Sequence, residues 1–175
     1  MISLFAMLIY IIVSTERRKQ ADLDTILYKD SLTGGASYAK FCVDVKKQLV
    51  KGKKAAYIVM DLDNFKLVND YYSYEQGNST INFVHETWKS VLRENEFVGR
   101  IAADRFAVYM QYNNETELHN RLDDFCQKCA IQNNGVMSDY ILTPSIGVYL
   151  IDEKNTNIQQ MQNSAVMAKS LVKGD

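Results

Sequence analysis

A chain of 175 residues is long enough to bury one substantial core, and 20 basic against 21 acidic residues leave a formal charge of −1. That balance argues against a broad nucleic-acid surface, so any phosphate ligand has to be held by a few local groups. Three cysteines, Cys42, Cys126 and Cys129, are too few and of the wrong parity for a disulfide framework, which points to a reducing compartment.

Ile2 to Val13, ISLFAMLIYIIV, is almost wholly apolar and is followed by Arg17, Arg18 and Lys19. Twelve helical residues rise roughly 18 Å, short of the roughly 30 Å of bilayer hydrocarbon. Positive charge after the apolar run, not before it, fits the cytoplasmic end of a membrane helix better than a signal peptide. Two readings stay open for residues 1–14: a truncated or mis-started membrane helix with all that follows in the cytosol, or a buried or artefactual apolar terminus. Residues 15–29 read as a connector helix carrying Leu23, Ile26 and Leu27, able to pair with a second copy; residues 30–175 read as one domain.

A break at Asp30-Ser-Leu-Thr-Gly-Gly precedes helical periodicity over Ser37 to Val50. Ala55 to Asp63, AAYIVMDLD, is an apolar run without a helical stripe and reads as a central strand. Helices are expected at Asn64 to Tyr72 and Ser79 to Arg93, strands near Glu96 to Ile101 and Arg105 to Gln111, and a helix from Glu115 to Ala130. A strand at Tyr140 to Leu150 and a helix from Ile158 to Val172 complete the chain. The order β-α-α-β-β-α-β predicts an α+β, palm-like sandwich with an antiparallel-containing sheet and helices packed on it. Leu118, Leu122, Phe125, Cys126 and Cys129 share helical spacing, so Cys126-x-x-Cys129 reads as buried thiols and not as a zinc or redox pair. His85 and His119 read as ordinary helix residues.

Asp61 and Asp63, two apart at the end of a strand, project to one side while Leu62 points to the other. Paired carboxylates there suit Mg²⁺ that also takes phosphate oxygens, although a solvated strand end or a helix cap uses the same residues. Asn64-Phe65-Lys66 opens a helix beside them, Lys66 adds a cation, and Asn69 and Asn78 carry amides able to read a base edge. Together these describe a nucleotide-phosphate site on a metal.

Asp30-Ser-Leu-Thr-Gly, MDLDNFKLVNDYYSYEQGN, GRIAADRFAVYM and TPSIGVYL resemble, in order and spacing, the landmarks of the GGDEF domain, the diguanylate cyclase fold. The resemblance implies a nucleotide-cyclase-like, mostly antiparallel sheet. It implies a homodimer that condenses two GTP into cyclic di-GMP with Mg²⁺. Carried over by position, it puts Asp61, the Leu62 carbonyl and Asp104 on the metal. It puts Phe65, Lys66, Lys169 and Lys173 beside phosphates, with Lys173 where the family has Arg, and Asn69 and Asn78 on guanine. Arg93 and Glu96 stand where the family has an inhibitory Arg-x-x-Asp that binds cyclic di-GMP; a helix end with exposed charges is the other reading.

The signature itself departs from the family. Ala102 and Ala103 replace two glycines that let the hairpin approach substrate without a Cβ between them. Arg105 replaces a glutamate, reversing charge where metal and attacking oxygen are organised. Tyr74 stands at the family's His position and Asn78 at its Asp position. The expectation is a degenerate, catalytically silent domain acting as a GTP-binding regulatory module, in a bacterial protein anchored in the inner membrane. The close at Lys173-Gly174-Asp175 reads as the end of a domain, and by analogy with degenerate relatives an EAL-type phosphodiesterase is expected beyond it. An active cyclase retaining Asp61 and Asp104, and a ligand-free dimerisation spacer, are the alternatives.

Overall fold

The computed structural model describes residues 4–49, 53–132, 142–152 and 157–172. A first helix, α1 (Leu4–Tyr28), leads into the short strand β1 (Ala36–Ser37) and helix α2 (Tyr38–Leu49). Then follow β2 (Ala55–Leu62), α3 (Phe65–Tyr71), α4 (Tyr74–Val91), β3 (Phe97–Ala102), β4 (Arg105–Gln111), α5 (Glu115–Gln132), β5 (Pro144–Leu150) and α6 (Ile158–Val172). The strands form one sheet in the order β1-β3-β4-β2-β5, antiparallel throughout except for the β1–β3 pair. This is the expected α+β sandwich with one short strand added.

β2 sits at the centre of the sheet's working half, with β4 on one side and β5 on the other. Its alternate residues therefore enter two separate cores, and burial on both faces explains why its sequence is continuously apolar. Ala55, Tyr57 and Val59 join Phe41 and Val45 of α2 and Met161 and Ala165 of α6. Ala56, Ile58, Met60 and Leu62 face α3, α4 and α5, where Trp88 and Phe125 stack with ring centroids 3.6 Å apart. The strand therefore delivers Asp61 to the α6 side and Leu62 to the other.

Three boundaries differ from the sequence expectation. α1 runs unbroken from the apolar run into the connector, so residues 4–28 are one helix. No helix among the described residues is long and apolar enough to cross a membrane. α4 begins at Tyr74, not Ser79, because the Ser73 hydroxyl accepts from the Gln76 amide and caps the helix five residues earlier. β5 is described from Pro144, and Tyr140 and Ile141 of the expected strand lie outside the described residues.

Candidate functional site

The carboxyl end of β2 and the β3–β4 hairpin meet because Met60 pairs with Phe106, which leaves the hairpin turn beside Asp61 and Leu62. Asp104 continues that ladder with its side chain: its Oδ2 accepts from the Leu62 amide at 2.9 Å. The two carboxylates expected at a metal thus lie either side of one peptide unit. Asp61 is ion-paired with the Lys169 ammonium of α6, and both side chains are largely buried, 16% and 11% exposed. Asp63, the other member of the expected pair, accepts from the Ser145 hydroxyl at 2.7 Å.

The hairpin turn holds Ala103 at φ 49°, in the left-handed region. There a Cβ crowds the following carbonyl at a cost of roughly 1–2 kcal/mol, which glycine escapes. The surrounding contacts enforce the turn. Arg100 Nε donates to the Ala103 carbonyl at 2.8 Å while its Nη1 reaches both oxygens of Asp30 at 3.1 and 3.2 Å. Ala102, Ala103 and Arg105 are exposed at the tip. Ala103→Gly should therefore raise stability by roughly 0.5–1 kcal/mol despite its looser unfolded chain, seen as a melting midpoint about 2 °C higher. A lower midpoint would show that the turn carries no strain.

Asp30 ties the Asp30–Gly35 turn to this hairpin. Burial alone would raise its carboxyl, but the Thr33 amide and hydroxyl and the Arg100 guanidinium outweigh that and hold it below 3.8. A depressed folded value means stability that is complete above the unfolded pKa and lost as pH falls through the folded one. Asp30→Asn is expected to destabilise at neutral pH, and the gap from the parent should close as pH falls below about 4. Urea midpoints at pH 7 and pH 3 measure it; an undiminished gap at pH 3 would refute the linkage.

The positions expected to read guanine, Asn69 and Asn78, also converge. Gly77 is buried in α4 with its Cα against Asn69: an ideal Cβ there would lie 2.0 Å from Asn69 Oδ1 and 3.3 Å from the Phe65 ring. Asn69 and the helix turn bearing Asn78 are thereby held together. Asn69 is half-buried and Asn78, Lys66 and Tyr74 are exposed. Phe65, expected beside phosphates, turns its ring into the core, 8% exposed, because Asn64 in the left-handed region (φ 54°) turns the chain inward at the start of α3. Lys173 lies outside the described residues.

Arg93 and Glu96 do not face one another as a ligand clamp. The Glu96 carboxylate is 1% exposed and accepts from Arg121 Nη1 and Nη2 and from the Arg93 and Gln111 amides. With four donors converging on it, the carboxylate offers little to a ligand, and the extra methylene over aspartate is what reaches Arg121. The Arg93 guanidinium instead pairs with Glu117 at 2.5 Å. Cys126 and Cys129 lie on α5 as expected; burial raises the Cys126 thiol and pushes Cys129 up to about 12, so neither is a thiolate at neutral pH. His85 is more than an ordinary helix residue: it is buried, stacks on Phe106 at 6.5 Å, and fills the space that a Cβ on Gly35 would need.

A family model described as diguanylate cyclase, GGDEF domain, matches residues 28–173. The cyclic di-GMP phosphodiesterase NbdA of Pseudomonas aeruginosa is 29% identical over 154 residues, 85% of this chain and 19% of that protein. The diguanylate cyclase DgcP of Escherichia coli is 26% identical over 162 residues, 90% of this chain and 48% of that protein. The chain thus spans less than half the length of these curated relatives. Among solved structures, the coiled coil and GGDEF domain of DgcB from Caulobacter crescentus, in complex with c-di-GMP, matches with a TM-score of 0.79 at 19% identity, covering 98% of this chain and 94% of that one. The match across almost the whole folded region, together with the β2 end, hairpin and α3–α4 arrangement above, places the chain in the GGDEF family, the diguanylate cyclase domain.

Proposed function

We propose that this domain is a catalytically silent GGDEF module that binds GTP and passes its occupancy to a linked effector in cyclic di-GMP signalling. The observation that carries the reading is the hairpin. Two methyl groups and a guanidinium stand at the exposed tip where a cyclase needs close backbone approach and negative charge, whereas Asn69, Asn78, Lys66 and Lys169 retain the means to hold a nucleotide. GGDEF domains in general pair GTP with Mg²⁺. The donor set here suits that ion, because Mg²⁺ takes one or two carboxylates together with water and substrate oxygens. Asp61, Asp104 and the Leu62 carbonyl would hold it, and when bound it would neutralise phosphate charge.

The effector is a proposal too, supported by a phosphodiesterase among the relatives; an EAL-type domain would fit. The homodimer and the membrane anchor draw on α1, whose Leu8, Ile12, Leu23 and Ile26 are all more than half exposed. Sedimentation at rising concentration tests the dimer, and a monomer at every concentration would end that part of the reading. Calorimetric titration with GTP, together with product analysis on concentrated protein, tests the rest. Binding abolished by Asn69→Ala, without turnover, is the expected result; turnover to cyclic di-GMP would make the domain a cyclase, and no binding would leave a dimerisation spacer.

A further inference from the structure

We infer that Lys169 is an interlock between metal and nucleotide: its ammonium guards Asp61 and yields that carboxylate to a divalent cation only when a phosphate takes the ammonium over. The inference rests on the reading of the site as a nucleotide pocket and adds to it an order of occupancy.

The guard is built into the packing. Gly147 of β5 lies two residues from Ser145, which pairs directly with Asp61 across the sheet. An ideal Cβ on Gly147 would lie 2.0 Å from the Ala165 carbonyl and 2.6 Å from Lys169 Cβ, so α6 rides directly on that strand. This close approach starts the Lys169 stem over the sheet face onto which Asp61 projects, and the ammonium ends on the Asp61 carboxylate, where both side chains are largely buried. Stripping a largely buried ion pair of one partner leaves the other charge uncompensated, which is costly.

A divalent ion arriving alone has to do that to Lys169. It would also meet a like charge there, because the Lys169 ammonium offsets the formal charge of Asp61. No cluster of three or more His, Cys, Asp or Glu residues that could hold an ion exists among the described residues, so an ion on Asp61 and Asp104 would draw its other oxygens from water or from the ligand. Phosphate supplies both missing parts at once: it accepts the ammonium, and it offers oxygens and negative charge to the metal. Metal and nucleotide affinities are then reciprocally coupled through one side chain.

Mn²⁺ titrated alone into the full chain, with free ion followed by electron paramagnetic resonance, tests the guard without nucleotide. Lys169→Met should bind Mn²⁺ at least about tenfold tighter than the parent, and Lys169→Arg, which keeps the cation, should stay at the parental affinity. Lys169→Gln serves as a second uncharged variant with the same expectation should the methionine variant not fold. Adding Asp61→Asn to Lys169→Met should remove the gain. Equal Mn²⁺ affinity in the parent and both uncharged variants, or a gain that survives Asp61→Asn, overturns the inference. Calorimetry with GTP, first in EDTA and then in Mg²⁺, probes the other side: tighter binding with Mg²⁺ in the parent and a smaller metal effect in Lys169→Met support the interlock. No heat under either condition, with the Mn²⁺ results as expected, leaves the guard on Asp61 standing and brings down the nucleotide reading.

Discussion

Glu96→Ala should cost roughly 3–5 kcal/mol of stability, a fall of about 10 °C or more in melting midpoint, and do so with no ligand present. The carboxylate is 1% exposed and lies against Arg121, which is itself 11% exposed. Removing it strands a buried guanidinium and leaves the Arg93 and Gln111 amides without their acceptor. Arg121→Met in the same chain should recover part of the loss, since an apolar side chain of similar length removes the stranded charge. Recovery should stay incomplete because Arg121 also donates to the Val91 and Gln111 carbonyls, at 2.8 and 3.0 Å. Arg93→Ala, by contrast, should leave the midpoint nearly unchanged, since its partner is met at the surface. A Glu96→Ala variant as stable as the parent would mean that the carboxylate is held for a ligand after all.

That contrast bears on whether Arg93 and Glu96 are free to take a ligand. A cyclic di-GMP clamp of the Arg-x-x-Asp kind needs both side chains turned outward, and here the acid points in. The glutamate's added methylene converts a surface acceptor into a strut that joins the end of α4, the start of β3 and the face of α5.

How much of this was legible in the sequence depends on the range over which each feature is encoded. β2 and β4 were readable because burial on both faces leaves an unbroken apolar run, and Asp61 and Asp104 because they sit inside ordered motifs. The start of α4 was not readable: Gly77 resembles a turn residue, and only the folded chain shows that its missing Cβ makes room for the Asn69 amide. β1 is two residues long, too short to carry any period. Arg121 answers Glu96 from 25 residues away, and Lys169 reaches Asp61 across 108. No local pattern specifies either pair, so the acids were legible as acids while their partners were not. Phe65 has a related limit: its position in a motif says nothing of whether the ring or the backbone faces a ligand.

Gly147→Ala should be the most damaging single methyl group that can be added to the site, lowering stability by roughly 3 kcal/mol and the midpoint by about 6–12 °C. Gly77 shows why. A Cβ there meets mainly the Asn69 amide oxygen, the far end of a side chain that can swing aside, so Gly77→Ala is expected to disturb the Asn69 side chain more than the fold. At Gly147 the atoms in the way are the Ala165 carbonyl at 2.0 Å and the Lys169 amide at 2.8 Å, both backbone of α6. They yield only if the helix moves as a unit, and α6 carries Met161 and Ala165 into the core beneath it. Moving the helix off β5 also lifts the root of Lys169 away from Asp61. The stability loss should therefore come with a functional signature: Gly147→Ala should bind Mn²⁺ alone more tightly than the parent, approaching Lys169→Met. A variant that melts as the parent does would show that α6 has slack over β5, and a destabilised variant with parental Mn²⁺ affinity would show that the ammonium finds Asp61 without help from this close approach.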